Sequence, residues 1–295
     1  MFTYMKKLSI LCSVLLILSA PLFGTTNMPE QKSNGEGAKG HAFIHGGGGI
    51  SNAQRLRFVE LAGGAGVANI LVVPFASDTP EETGASAVLS WRSRGATADY
   101  VAFKEGEADL PENLAKLDGV TGIWVPGGSQ TLVMDMLHGT EFLERIREIH
   151  RNGGVVGGSS AGAAIASEIM ITGRAANGTT SISNHSTIRE GAVHFVEGFG
   201  IIDFAIIDQH FAQRQRHNRL INLVIEHNLP GIGIDEDTAI IFENGSRTFE
   251  VMGTRSVLVF EPRFTTPPQT DDRKNLSADN IEVRIFLSGD RHTLE

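Results

Sequence analysis

The sequence predicts an α/β fold, a three-layer sandwich with a mostly parallel central sheet and antiparallel strands near its C-terminus. Short apolar runs alternate with amphipathic stretches through most of the chain, as βαβ units require. Several runs, such as Ile70-Leu71-Val72-Val73, are apolar without alternation, which suits strands covered on both faces. After about residue 239 the segments become short and alternating, with Asn244-Gly245 between two of them, a strong hairpin signal.

Taken in order, the candidate strands are 41–45, 69–74, 99–103, 122–125 and 155–158. Helical patterns occupy 52–63, 81–95, 112–116 and 141–152, and a short helix is expected over 163–169. Further on, 205–208 and 231–235 read as buried strands around a helical stretch, 213–227. The segment 239–259 then closes the sheet with antiparallel strands. Right-handed crossovers wind such a sheet, and its sites gather beyond the carboxyl ends of the strands.

The chain opens with Lys6 and Lys7, an apolar run from Leu8 to Leu18, and small residues at Ser19, Ala20 and Gly24. That order is a secretory signal peptide, and the run is short for a bilayer span, so residues 1–24 are read as a cleaved signal rather than an anchor helix. Export to the periplasm or beyond is the expectation. Cleavage removes Cys12, the only cysteine, leaving no disulfide and no thiol nucleophile. It also removes two lysines, taking the net charge from −9 to −11. An acidic chain argues against nucleic acid or an anionic membrane as partner. The about 270 residues left suit one domain, 41–261, between a flexible leader, 25–40, and a C-terminal extension, 262–295, irregular up to Asn280.

Gly157-Gly158-Ser159-Ser160-Ala161-Gly162-Ala163 follows a buried strand and opens a helix. A serine on such a turn stands at the strand end with free N–H groups beside it, so Ser160 is the candidate nucleophile and the Ala161 N–H the first oxyanion donor. Ser159 competes for the role. Phosphate binding and simple helix capping also suit a Gly- and Ser-rich turn.

The densest polar cluster, Asp208 to Arg219, begins where an apolar strand ends. His210 there is placed to deprotonate a serine. Arg216 and Arg219 share a helical face with Leu220 and Leu223, and their guanidinium groups suit substrate carboxylates or internal carbonyls. Asp235, Glu236 and Asp237 follow another short strand; Glu236 is preferred as the group that orients His210, with its neighbours as alternates. Oxygen ligands in one short run without a loop motif make a metal site there weak. Pro126-Gly127-Gly128-Ser129-Gln130 ends a further strand, where the Gly128 N–H is the second oxyanion donor and Gln130 a substrate contact.

These segments, with Gly46–Gly49 and Pro74–Glu82, resemble cyanophycinase and its relatives in the same order from about His41 to Phe260. The resemblance implies a fold similar to class I glutamine amidotransferases, with serine replacing cysteine. It implies a triad of Ser160, His210 and Glu236, a pocket lined by Gln130, Asp208, Arg214, Arg216 and Arg219, and no metal or organic cofactor. The substrate implied is a peptide or polymer, cyanophycin (aspartate backbone, arginine side groups), and the assembly implied is a homodimer. Ser129 departs from the acidic residue usual before that glutamine. Related enzymes of this fold cleave aspartyl dipeptides.

Overall fold

The computed structural model describes residues 40–175 and 187–295. The expected signal peptide, Cys12, and the leader up to residue 39 lie outside the described residues. The first half of the chain gives β1 (His41–His45), α1 (Asn52–Leu61), β2 (Asn69–Val72), α2 (Pro80–Arg92), β3 (Thr97–Tyr100), α3 (Pro111–Leu114) and β4 (Gly122–Val125). Next come α4 (Gln130–Leu137), α5 (Glu141–Arg151), β5 (Val155–Ser159), α6 (Ala161–Ala164), β6 (Ile169–Ala175) and β7 (Val193–Glu197). The rest comprises β8 (Ile206–Gln209), α7 (His217–His227), β9 (Gly231–Ile234), β10 (Thr238–Phe242), β11 (Thr248–Gly253), β12 (Val257–Pro262), β13 (Gln269–Thr270), β14 (Leu276–Ser277), β15 (Ile281–Phe286) and β16 (Arg291–Thr293).

The central sheet runs β16-β11-β10-β1-β5-β4-β2-β3. Its pairs from β1 to β3 are parallel, and β10, β11 and β16 complete it antiparallel. Strand alternation divides its side chains between two cores. Phe43, Ile70, Val72 and Trp124 pack on one face against Phe58 of α1 and Trp91 of α2. Ala42, Ile44, Leu71, Ile123 and Val125 pack on the other against Met134, Leu137, Phe142 and Ile146 of α4 and α5. Local signals start these helices: Ser51 and Gln54 form a reciprocal capping box on α1, Pro80 opens α2, and Thr140 accepts from the Leu143 N–H at 3.2 Å to cap α5.

Several elements differ from the sequence reading. The strands expected at 205–208 and 231–235 form but do not extend the central sheet. As β8 and β9 they pair in parallel within a second sheet, β15-β12-β9-β8. That sheet meets the first through Ile207, Ile232, Ile234, Val257 and Val259, and α7 covers its outer face with Leu220, Leu223 and Val224. The helix expected over 163–169 is the single turn α6, because Ile169-Met170-Ile171 is committed to pairing with β7. The helix expected from 213 begins at His217, since Gln215 sits at φ 53°. The tail after 261 is not an appendage: β15 pairs along the whole of β12, and β16 extends the central sheet beside β11. Buried Glu261 ties it further, 3.3 Å from Arg284 and 3.6 Å from His292.

Candidate active site

The carboxyl ends of β1, β4, β5, β8 and β9 bring the loops of the site together. Ser160 follows β5 with φ 57° and ψ −107°. A non-glycine residue held there costs on the order of 1–3 kcal/mol, and persists only where its surroundings enforce it. The Ser160 N–H donates to the His45 carbonyl at 3.0 Å, and a Cβ on Gly162 would meet the Val125 carbonyl oxygen at 2.0 Å. The turn is thus gripped between β1 and β4. Its two serines diverge: the buried Ser159 hydroxyl lies 3.1 Å from His45 Nδ1, whereas Ser160 Oγ lies 2.8 Å from His210 Nε2.

His210 leaves β8 at φ 46°, and its N–H donates to the Gly46 carbonyl at 2.7 Å. Its Nδ1 is 2.6 Å from Glu236 Oε1. Each carboxylate after β9 has its own task. Asp235 Oδ1 accepts from the Ala212 N–H at 2.9 Å, and Asp237 Oδ1 accepts from the Gly49 N–H at 2.6 Å. Glu236 alone of the three reaches His210, and its own N–H donates to Gln213 Oε1 at 3.0 Å. Burial pushes the His210 pKa below 6.5, opposed by the Glu236 hydrogen bond and reinforced by Arg214 and Arg216. The imidazole is therefore neutral near pH 7. With Nδ1–H donating to Glu236, Nε2 is left to accept from the Ser160 hydroxyl.

The Pro126–Ser129 turn lies against the nucleophile, since a Cβ on Gly127 would fall 3.4 Å from Ser160 Cβ. Gly128 adopts φ 140° and passes so close to β2's loop that a Cβ would meet the Ala76 carbonyl oxygen at 1.9 Å. That carbonyl accepts from the Ser129 N–H at 2.7 Å. The N–H groups of Gly128 and Ala161 have no acceptor among the described residues, as donors reserved for a developing oxyanion require.

The residues expected to line a pocket separate by burial. Asp208 and Arg219 are each 1 % exposed and form an internal bidentate ion pair, with Arg219 Nε 2.6 Å from Asp208 Oδ2. This pair joins β8 to α7 instead of facing solvent. Arg216 is also buried; its Nη1 donates to the Gln209 carbonyl at 2.6 Å, and burial first of all brings its pKa down to about 10. Arg216 Nε and Arg219 Nη1 find no acceptor among the described residues. Buried unpaired donors cost about 1–3 kcal/mol each. Arg214 is exposed, and the buried Gln130 donates from Nε2 to the Ile171 carbonyl at 2.7 Å, tying β6 to the site.

Two supporting residues escaped the sequence reading. Gly47, at φ 102°, presses on His210 so closely that a Cβ would lie 2.2 Å from its Cε1 and 2.5 Å from its Nε2. His45 is wholly buried below the turn, its Nδ1 accepting from the Gly47 N–H at 3.1 Å as well as facing Ser159, and burial pushes its pKa down to about 4. The glycine run after β1 signals a close approach, but only the fold names its neighbour. Nothing in the apolar setting of His45 distinguishes it in sequence from a packing residue.

The site falls within residues 42–249, which match the family model described as peptidase family S51. A cyanophycinase of Synechococcus elongatus is 34% identical over 244 residues, covering 80% of this chain and 73% of its own. The cyanophycinase of Trichormus variabilis is 33% identical over 238 residues, covering 78% and 77%. The crystal structure of a peptidase from an acI-B1 actinobacterium superposes with a TM-score of 0.64 at 22% identity, over 88% of this chain and 98% of that one, so the fold is shared. With the family model spanning most of the chain, this protein belongs to peptidase family S51 and is a serine-type peptidase.

Proposed function

We propose that this protein is an exported peptidase that hydrolyses cyanophycin to β-aspartyl-arginine through an acyl-enzyme. The observation that carries the chemistry is the continuous contact from Ser160 Oγ through His210 to Glu236, at 2.8 and 2.6 Å. Ser160 attacks the amide carbonyl as its proton passes to His210 Nε2. The tetrahedral oxyanion takes hydrogen bonds from the Gly128 and Ala161 N–H groups, while Glu236 stabilises the imidazolium. His210 then delivers the proton to the departing amine, leaving an ester on Ser160. Water, deprotonated by His210, attacks that ester and restores the serine.

The choice of substrate is supported by the identity to cyanophycinases over about four fifths of the chain. Exposed Arg214 suits carboxylates on a polyaspartate. Export is supported by the order of charged, apolar and small residues over 1–24. Homodimerisation is carried over from the resemblance, and sedimentation of the purified protein tests it. Release of β-aspartyl-arginine from purified cyanophycin by the wild type, and its loss in Ser160→Ala, is the result expected. Equal release by both proteins refutes Ser160 as nucleophile. No release by either, with aspartyl dipeptides cleaved instead, moves the substrate to that class.

A further inference from the structure

We propose that the groove between α1 and α2 is a substrate subsite for a side group bearing both a cation and a carboxylate, with Glu82 receiving the cation and Arg55 the carboxylate. The groove has a volume of about 400 Å³. Its position ties it to the reaction: Pro126 lines it, and the next residue, Gly127, abuts Ser160. Its opposite wall begins at Ile50, beside Gly49, whose N–H is held by Asp237 next to Glu236. The two loops that flank the reacting hydroxyl therefore continue as the walls of this groove.

Its chemistry is selective. Glu82 is exposed and enters no ion pair or hydrogen bond among the described residues, although the arginine Arg55 lines the same groove. An acidic residue near a helix N-terminus is stabilising in general, but adjacent Glu81 already meets that need on α2. Among the described residues Arg55 spends only Nη1, on the Ile50 carbonyl, which leaves Nε and Nη2 for a ligand. Thr79, Thr83 and Ser86 add hydroxyls. One carboxylate, one guanidinium and hydroxyl groups select neither an apolar side chain nor a simple anion. An arginine linked through its α-amine, which presents a guanidinium and a free carboxylate together, meets both charges.

This subsite rests on the cyanophycin reading, and the test separates the two. Short synthetic β-aspartyl-arginine oligomers are compared with oligomers carrying citrulline, the neutral isostere, for the wild type, Glu82→Gln and Ser86→Phe. The wild type is expected to prefer arginine in kcat/KM by about tenfold or more, the worth of a charge-assisted hydrogen bond. Glu82→Gln is expected to erase that preference through KM on arginine alone, with citrulline unaffected. Ser86→Phe, which fills the groove and keeps its charges, is expected to raise KM for both oligomers. If Glu82→Gln keeps the wild-type preference, or Ser86→Phe leaves KM unchanged, the subsite is overturned and cyanophycin hydrolysis stands. If the wild type cleaves no arginyl oligomer, both fall together.

Discussion

Replacing Gly47 by alanine places one methyl group against the His210 ring without removing any polar atom. The added Cβ would begin 2.2 Å from His210 Cε1, whereas carbon atoms in contact settle at about 3.5 Å. The ring must therefore retreat by roughly 1.3 Å if the backbone holds. A retreat directed away from Ser160 stretches the present 2.8 Å Ser160–His210 contact to about 4 Å, beyond any hydrogen bond. Backbone relaxation shares the burden, but alanine at the observed φ of 102° is itself strained, by about 1–3 kcal/mol. A displacement of this size costs on the order of a hundredfold in rate. The assay is the second-order rate of Ser160 labelling by a fluorophosphonate, which needs no knowledge of the natural substrate, with near-UV circular dichroism to confirm folding. A folded Gly47→Ala protein labelled within threefold of the wild type refutes the reasoning: either the glycine does not set the ring or the ring does not activate Ser160.

His210 must be neutral to act as base, so kcat/KM is expected to fall as pH drops through its pKa, which burial sets below 6.5. Glu236→Gln removes the carboxylate charge, whose attraction and charge-assisted hydrogen bond raise that pKa, so the acid limb should move to lower pH while kcat falls about 10²-fold or more. An unmoved limb shows that Glu236 is not the partner of His210. Asp208→Asn strands the buried Arg219 charge and should cost about 3–5 kcal/mol in urea unfolding, with a loss below 1 kcal/mol contradicting an internal ion pair. His45 has a folded pKa of about 4 against 6.5 in the unfolded chain, so the unfolded state binds more protons between those values and stability is lost as pH falls from 6.5 to 4. The share of His45 is on the order of 3 kcal/mol. His45→Gln should flatten the dependence of the urea midpoint on pH in that window, and an unchanged slope removes His45 from the account.

The alternation of apolar runs and amphipathic stretches in this chain determines its α/β class, because burial of a sheet on both faces demands that pattern whatever the details of packing. Strand ends were equally legible. The candidate nucleophile, base and carboxylate were found because each polar segment follows an apolar run, and a parallel sheet collects such ends on one side. Pairing was not legible. Ile206–Gln209 and Gly231–Ile234 read as buried strands in any sheet, and which sheet they joined depended on Val257–Pro262 and Ile281–Phe286, far along the chain. The same long-range pairing drew Ile281 to Thr293 into the fold, though nothing nearby in sequence announces it.

Within the site, spacing along the chain identified groups but did not distribute their work. Asp235, Glu236 and Asp237 are adjacent and chemically alike, and only their separate contacts with Ala212, His210 and Gly49 tell them apart. Ser159 and Ser160 are likewise divided by the backbone's turn to φ 57°, which sends one hydroxyl to His45 and the other to His210. Arg214, Arg216 and Arg219 carry the same charge in one short stretch, yet range from exposed to wholly internal, because only α7's docking onto the second sheet decides which guanidinium loses water. Residue type and order determined which chemistry this protein holds. Tertiary structure alone decided which atom of each group meets the next, since that depends on contacts between segments dozens of residues apart.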